Sequence, residues 1–454
     1  MAENGGAMAH LLTVLLALMC TVIPIWMGGR YGMVRLVSPM HLLCYFSVLG
    51  FLVKVTTYAV IPEFAFYSRY IDTPGAMQVG AIYLAAFILV MCLGYRCAVR
   101  PLDPAPAIAE ARIVAAGLVR QGWLFAAAFA VAGATFMLLL NARGISILSA
   151  DLLSSFNQDK QINVNDDGVG ATLAGIKTLF IVPKFAFVLL LSQGIVRQSA
   201  MLLAQASALS VLLVVIALIS GDRFELVELL VFATATYLML GGRIGLRSLA
   251  MMCAGAAIVF LLSAYMTALR GTDAGLLHQL VGSTYFLDIN AAIMVTDQVQ
   301  SDAYLLGKSY GWWSFGWVPR AIWVDKPAID LGVFLKRDVM QITTGGAFNV
   351  TGPGEAFMNF GWAGVIVGFI LGWIYRRCEV ALFSAQAGLR FAGFYLYPLL
   401  LYPFVQATLH SSFSGFIVGA SAQAVLIFAM ISVFVPRYHV RPGPSYAPTG
   451  ALHV

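Results

Sequence analysis

Continuous apolar runs of about 20 residues recur along the chain, and they limit its possible folds more than any other feature. A helix of that length crosses the ~30 Å hydrocarbon core of a bilayer. It also satisfies its own backbone hydrogen bonds there. The strands of a membrane β-barrel would be about ten residues long and would alternate in polarity. These runs do not alternate, so the sequence predicts an all-α polytopic integral membrane protein.

Composition agrees with a lipid environment. Hydrophobic residues make up 60% of the chain and charged residues only 11%, whereas about a quarter of the residues of a soluble protein are charged. The net charge is +6, but the arginines lie mostly in short connections between apolar runs, where they orient membrane proteins. We therefore expect the bilayer as a partner and no nucleic acid. The cysteines lie within or beside apolar runs, so no disulfide framework is expected.

We predict about eleven transmembrane helices in a single membrane domain, residues 1–454. A long external loop, residues 269–354, precedes the ninth span, and a Pro-rich tail, residues 436–454, is expected to be disordered in the cytoplasm. The expected spans are residues 9–28, 39–61, 77–97, 122–141, 172–195, 200–220, 224–240, 249–268, 356–375, 391–409 and 412–435.

Arginines are concentrated in every second connection, and this pattern predicts the orientation. Basic connections stay in the cytoplasm, so an odd number of spans places the N-terminus outside and the C-terminus inside. Arg69 and Arg143 are exceptions on the other side. The start, MAENGGAMAH, has no Lys or Arg and no clear cleavage site, which favours a first span over a signal peptide. The basic connections contain Arg30, Arg35, Arg96, Arg100, Arg112, Arg120, Arg197, Arg243, Arg247, Arg376, Arg377, Arg390, Arg437 and Arg441.

The stretch ISGDRFELVELLVF places charges at the expected outer mouth between two spans. Asp222 and Arg223 lie in the turn, and Glu225 and Glu228 follow on one helix face. Ionisable residues at membrane depth are costly and usually face a polar interior. Alternatively, Arg223 extends to lipid headgroups, and the glutamates favour the positive end of the helix. Arg270 follows the eighth span on the same side.

Tryptophans and cations occur together in the predicted external loop. Aromatic faces beside cations suit sugar rings and phosphates, which makes these residues candidates for substrate binding. An interfacial aromatic belt is the alternative, but it does not require cations among the rings. The group consists of Trp312, Trp313, Trp317 and Trp323 around Arg320 and Lys326, and His278 lies earlier in the same loop.

The stretch GPGEAFMNFGWAGVIVGFILGW opens the ninth span. Glu355 is a candidate catalytic carboxylate, or a favourable first-turn charge of the helix. Glycines recur every four residues after it, a spacing that permits close helix approach. His410, in the outer hairpin between the last two spans, is a further candidate, although lone histidines are more often structural.

Three lysines fall within predicted spans: Lys54, Lys177 and Lys184. An ion pair inside the bundle, for example Lys177 with Glu228, is the favoured interpretation of Lys177. For Lys184, which is expected near the middle of the bilayer, a functional role stays open.

Several familiar motifs are excluded. Gly307-Lys308-Ser309 resembles the end of a nucleotide-binding loop, but Asp302 stands where its first glycine is needed. The match of GKSYG to Gly-x-Ser-x-Gly lacks the strand–turn–helix context of a hydrolase. No clustered ligands predict a metal site.

Three stretches together resemble the Wzy-type O-antigen and oligosaccharide repeat-unit polymerases of bacterial envelopes. They are RLVSPMHLL, SGDRFELVELLVF, and PRAIWVDKP followed by GEAFMNFGWAGVIVGFILG. The resemblance implies a GT-C-like membrane fold in the bacterial inner membrane. It also implies periplasmic polymerisation of undecaprenyl-pyrophosphate-linked repeat units. We expect an inverting, metal-independent glycosyltransferase without a cofactor. Arg223, Arg320, Lys326 and Glu355 lie inside the matched motifs, and the related ligases use an external histidine.

The residues are assigned to two groups of roles. A hydroxyl that attacks the anomeric carbon expels a pyrophosphate, whose charge arginines can stabilise without a metal. A base near the hydroxyl would accelerate the reaction about 10²–10⁴-fold. The catalytic candidates are Arg223, Arg270, Glu355 and His410, and the substrate-binding candidates are Arg320, Lys326, Trp312, Trp313, Trp323, Asp222 and His278.

Two other functions stay open. A ligase that transfers finished glycan would share the arginines and differ in its acceptor. A flippase or other transporter of lipid-linked sugars would use intramembrane charges such as Lys184 without covalent chemistry. A polymerase would also have a chain-length regulator and a flippase as candidate partners.

Overall fold

The computed structural model describes residues 2–100, 105–118, 120–142, 146, 178–220, 223–268, 287–318, 322–323, 331–342, 348–383 and 393–435. These parts of the chain are helical and contain no strand. The main helices are α1 (Ala2–Tyr31), α2 (Pro39–Ser47), α3 (Val53–Val60), α4 (Ala76–Cys97), α5 (Ala105–Ala116), α6 (Gln121–Ala142), α7 (Ile181–Arg197), α8 (Ala200–Ser220), α9 (Arg223–Met239), α10 (Leu246–Ala268), α11 (Ile289–Gln298), α12 (Thr351–Phe360), α13 (Val365–Leu382), α14 (Tyr402–His410) and α15 (Phe413–Phe434).

Short helical pieces connect or extend these helices. The α-helical ones are Lys308–Gly311, Trp313–Gly316, Leu331–Phe334 and Gly393–Leu396. Pieces with 3-10 geometry are Pro62–Phe64, Phe66–Arg69, Thr178–Phe180, Ser301–Ala303 and Gly361–Gly364. Turns with π geometry are Val48–Leu52, Leu335–Val339 and Tyr397–Leu401.

Nine helices in the described ranges are long and apolar enough to cross a membrane. The prediction of an all-helical, multi-pass membrane protein is therefore confirmed, but the count of eleven spans is not. Of the predicted spans 224–240 and 391–409, residues 224–239 and 393–409 are helical in the described ranges, but neither span is among the nine. The nine are His10–Tyr31, Pro39–Val60, Ala76–Cys97, Gln121–Leu138, Thr178–Arg197, Ala200–Leu218, Leu246–Met266, Thr351–Leu382 and Gly415–Phe434.

Helices α4 and α13 pack backbone against backbone. A Cβ atom added to Gly372 would lie 2.0 Å from the Met91 carbonyl oxygen, and one added to Gly94 would lie 2.0 Å from that of Phe369. Only glycine allows this approach, which is how small residues bring membrane helices together. The glycine repeat after Glu355 thus supplies a packing face, as its spacing predicted.

Part of the predicted external loop is buried within the helical bundle. Residues 287 and 289–295 of this segment have little or no exposed surface. Asp288 caps α11 by accepting from the Asn290 N–H at 2.9 Å, and it pairs with Lys54 of the second span at 2.8 Å. The residues predicted as loop 269–354 therefore include a helix that packs on α4, because its apolar face needs burial.

A buried cluster around Glu379 joins several helices near the end of α4. The Glu379 carboxylate accepts from the Met33 N–H at 2.8 Å, from the Tyr95 hydroxyl at 2.5 Å and from the Tyr397 hydroxyl at 3.2 Å. It also pairs with Arg376 at 2.9 Å. Arg376 was interpreted as a loop charge, but α13 continues to Leu382 and buries it. We call this side of the bundle the Glu379 end.

Helices α7 and α9 both finish near the Glu379 end. The connection that contains α5 follows α4 there, and it contacts the last residues of both helices. Arg112 donates to the Leu240 carbonyl oxygen at 2.8 Å, and Arg197 donates to that of Ala116 at 2.6 Å. The first residues of α7 and α9 consequently lie toward the opposite end of the bundle.

Candidate functional site

Glu355 joins three segments of the chain. Its Oε1 accepts from the Ser309 hydroxyl at 2.7 Å, and its Oε2 accepts from the Phe413 N–H at 2.5 Å. The side chain lies in α12, Ser309 belongs to the short helix Lys308–Gly311, and Phe413 begins α15. A carboxylate is favourable at that helix start because the first N–H groups carry a partial positive charge. With 1% of its surface exposed, Glu355 is enclosed. We call this side of the bundle the Glu355 end.

Asn359, one helical turn after Glu355, holds the same short helix. Its Nδ2 donates to the Ser309 hydroxyl at 2.7 Å, and its Oδ1 accepts from the Gly307 N–H at 2.9 Å. Gly307 adopts a φ of 86°, which suits glycine and allows the tight turn before Lys308. Sequence reasoning missed Asn359, although its i+4 spacing from Glu355 places both side chains on one helix face.

His410 lies at the Glu355 end as well. It closes α14, three residues before Phe413. Its Nδ1 is 3.0 Å from Asn349 Nδ2, within hydrogen-bonding distance. Asn349 was not predicted, since nothing in the sequence relates it to a residue 61 positions away.

The aromatic residues form a layer over this end. We name residues 304–318 the aromatic segment. Within it, Tyr310 stacks on Phe360 with ring centres 6.2 Å apart, and it contacts Phe413 edge-on at 5.8 Å. Burial raises the pKa of Tyr310 well above its usual range, and the charge of Glu355 adds to that effect.

The predicted tryptophans differ in exposure. Trp312 is half-buried against Phe334, with ring centres 6.3 Å apart, whereas Trp313 is exposed. Trp323 is also exposed and contacts Phe315 of the aromatic segment at 5.7 Å. Their open faces can receive an apolar sugar face or a lipid.

A second charged cluster joins the starts of α7 and α9. Lys184 Nζ is 2.5 Å from Glu225 Oε2 and 2.5 Å from Glu228 Oε2. The lysine side chain is buried, and the carboxylates keep 20% and 14% of their side-chain surface exposed. Lys184 makes the kind of ion pair with Glu228 that was expected for Lys177, a residue outside the described ranges.

Arg223 is the first residue of α9, and only its backbone position is described. One turn later, Leu226 shares a buried cluster with Met266, near the end of α10. The start of α9 therefore lies beside the point where the chain leaves α10 toward residue 270. Asp222, Arg270, His278, Arg320 and Lys326 lie outside the described residues.

Helix α14 runs alongside α9 in the opposite direction. The rings of Phe232 and Tyr402 are 6.0 Å apart. Tyr397, just before α14, belongs to the Glu379 cluster, whereas Arg223 lies away from that end. Tyr402 precedes His410 by eight residues, and Phe232 follows Arg223 by nine. Each of these separations corresponds to about 12–14 Å along a helix. His410 and the start of α9 thus lie at similar levels.

Within the described ranges, His, Cys, Asp and Glu side chains form no group of three that could hold a metal ion. The carboxylates of Glu225 and Glu228 both pair with Lys184. The site as described offers hydrogen-bonding and charged groups under an aromatic layer. No family model matches the sequence, and no similar curated protein or solved structure is found.

Proposed function

We propose that the protein is a membrane glycosyltransferase that polymerises undecaprenyl-pyrophosphate-linked oligosaccharide repeat units. One arrangement supports this proposal: the helix directions bring the start of α9 with Arg223 and the end of α14 with His410 toward the Glu355 end, to which the aromatic segment is hydrogen-bonded. We assign this end to the periplasmic side of the bacterial inner membrane, with the N-terminus periplasmic and the C-terminus cytoplasmic. The architecture that goes with this assignment is GT-C-like.

The proposed reaction needs charge stabilisation more than protonation. The acceptor hydroxyl attacks the anomeric carbon of the donor, and the lipid pyrophosphate leaves with the electron pair of the broken C–O bond. Arg223 and Arg270 stabilise the developing charge through their planar donor groups. Trp312, Trp313 and Trp323 contact sugar faces, and Arg320 and Lys326 contribute to substrate affinity, as do Asp222 and His278.

The hydrogen bonds of Glu355 support the same proposal. Glu355 fixes the aromatic segment to α12 and α15 through Ser309 and Phe413. An aromatic segment held in this way keeps its position during the reaction, and electrostatic catalysis requires fixed positions. We assign Glu355 a positioning role and leave His410 as a substrate-facing candidate at the same end.

The test is incubation of the purified protein with lipid-linked repeat units, followed by separation of the products by length. We expect a ladder of polymers, which persists in excess EDTA because the arginines replace a metal. The matched control is Arg223→Ala at equal protein concentration, which should abolish the ladder. Absence of a ladder from the unaltered protein, or its loss in EDTA with recovery on adding Mg²⁺, contradicts the proposal.

The transporter alternative is less well supported by the charge pattern. Two buried lysines of the candidate spans, Lys54 and Lys184, each pair with carboxylates from elsewhere in the bundle. Each lysine therefore has a carboxylate partner within the bundle, the pairing that intramembrane charges usually show. A ligase would use the same site, and a product carrying glycan on a different acceptor lipid, without a ladder, would identify it.

A further inference from the structure

The acceptor hydroxyl must lose a proton during the proposed transfer. We therefore compare the exposure of carboxylates within the helical bundle. Asp288 and Glu379 are fully buried. Glu355 is 1% exposed, and both of its oxygens accept hydrogen bonds. Glu225 and Glu228 differ, because they keep 20% and 14% of their side-chain surface exposed.

Glu225 is the more open of the two. It lies in the first turn of α9, two residues after Arg223, whereas Glu228 is one turn deeper. In the described part of the chain, its contact is with Lys184 through Oε2. The other oxygen, Oε1, is thereby left to accept a proton, and Lys184 holds the carboxylate in one orientation.

A second feature lies on the neighbouring helix α14, deeper in the bundle than Glu225. The Tyr402 hydroxyl is buried, with 3% of the residue exposed, and has no hydrogen-bond partner among the described groups. Its ring contacts Phe232, on the Glu228 face of α9, and both carboxylates are close enough to interact with the hydroxyl electrostatically. A buried polar group without a partner is rare in proteins, and a catalytic role is one of the reasons for such a group.

We infer that Glu225 is the general base of the transfer reaction, and this inference rests on the proposed function. As the acceptor oxygen bonds to the anomeric carbon, its O–H bond breaks and the proton moves to Glu225 Oε1. The C–O bond to the pyrophosphate breaks, and its electron pair leaves with the phosphate. Exposure of the carboxylate then lets the proton pass to water. Lys184 is a positioning residue, because its ion pair with Glu225 Oε2 holds the base in one orientation.

Charged and titratable groups on the neighbouring helices surround Glu225 and can influence the pH profile of the reaction. Lys184 faces it from α7, Tyr402 from α14, and Glu228 from the next turn of α9. Arg223 belongs to its own turn. Helix α8 has no titratable residue, and α10 has Tyr265 near its end.

The experiment measures initial rates of ladder formation across pH for the full-length protein in detergent. Glu225→Gln should lower kcat about 10²–10⁴-fold with little change in donor affinity, and the acidic limb of its pH profile should flatten. Glu225→Asp should keep part of the rate and shift that limb. Glu228→Gln preserves the Glu225–Lys184 pair, so this variant should lower kcat by less than about tenfold. Glu110→Gln, in α5 near the Glu379 end, is the control for an unrelated charge.

The outcomes separate the two proposals. If the unaltered protein forms no ladder, both the polymerase proposal and the assignment of Glu225 as the base are wrong. If it forms one and Glu225→Gln retains the rate within about threefold, well short of the contribution of a base, Glu225 is not the base and the polymerase proposal stands. Should Glu225→Gln fail to fold, Glu225→Asp decides, since an unmoved acidic limb in that variant excludes the assignment.

Discussion

The Glu355 carboxylate accepts a 2.5 Å hydrogen bond from the Phe413 N–H and thereby fixes the start of α15 to α12. Its other oxygen accepts from Ser309 at 2.7 Å. Both donors lie in segments distant along the chain, so one side chain sets the relative positions of three elements. This arrangement makes Glu355 a structural joint of the candidate site.

We therefore predict that Glu355→Ala lowers stability as well as activity. The substitution removes the carboxylate that accepts from the Ser309 hydroxyl and from the Phe413 N–H, which should cost about 2–3 kcal/mol. Glu355→Gln keeps one acceptor oxygen and should lose less. The measurement is the apparent melting temperature of the purified protein, with exposed Asp302→Ala as the control. A Glu355→Ala protein that melts normally but is inactive would instead assign Glu355 a direct chemical role.

The close pair of α4 and α13 gives a second prediction. A Cβ on Gly372 would lie 2.0 Å from the Met91 carbonyl oxygen, so Gly372→Ala must push the helices apart. We expect a loss of about 1–3 kcal/mol, seen as a lower melting temperature. Gly133→Ala in α6 is the matched control, because its Cβ would meet nothing within 4 Å. That control should be neutral or stabilising by about 0.5–1 kcal/mol, and equal effects of both changes would refute the packing argument.

Lys184 supplies a third prediction. Lys184→Met leaves Glu225 and Glu228 near each other without their cation, and removal of one partner from a buried ion pair typically costs about 3–5 kcal/mol. The partial exposure of both carboxylates places the expected loss at roughly the lower end of this range. Lys184→Arg should retain most of the stability. The double variant Lys184→Met with Glu228→Gln should regain part of the loss, and strictly additive effects would show that the pair is not coupled.

The fold class and several local features could be predicted from the sequence because they depend on nearby residues. Apolar runs predict membrane helices, and the Gly364-Gly368-Gly372 spacing predicts a packing face. Pairing between distant segments could not be predicted, since periodicity contains no information on which helices meet. Lys54 with Asp288 and Asn349 with His410 are examples, separated by 234 and 61 positions.

The site was predicted in part for the same reason. Glu355 and His410 were selected because both fall at expected outer helix ends, and the structure places both at one end of the bundle. The roles were harder to assign, because exposure and hydrogen bonding decide them. Glu355 is enclosed, whereas Glu225, which was noted in the sequence but not chosen, keeps an accessible carboxylate.

Tyr402 gives a fourth prediction. Its buried hydroxyl has no partner in the described ranges, so Tyr402→Phe removes no protein hydrogen bond and should leave the melting temperature unchanged or raise it. Tyr375→Phe is the matched control, because the Tyr375 hydroxyl is hydrogen-bonded to Thr408, and it should lose about 1 kcal/mol. A marked destabilisation by Tyr402→Phe would show that the hydroxyl has a structural partner and would weaken its link to the Glu225 site.

The final prediction concerns orientation, because the proposed chemistry requires the Glu355 end to face the periplasm. Cys97 is exposed two residues after Tyr95, at the Glu379 end. Asp302 lies on the other side, in the segment that pairs with α12 through the Leu305 N–H and the Met358 carbonyl oxygen. In sealed cells, a membrane-impermeant maleimide should label a protein whose single cysteine is Asp302→Cys, and it should label one that retains only Cys97 after permeabilisation alone. A functional cysteine-free parent is the control. The reverse labelling would place the candidate site in the cytoplasm, where a periplasmic polymerase cannot work.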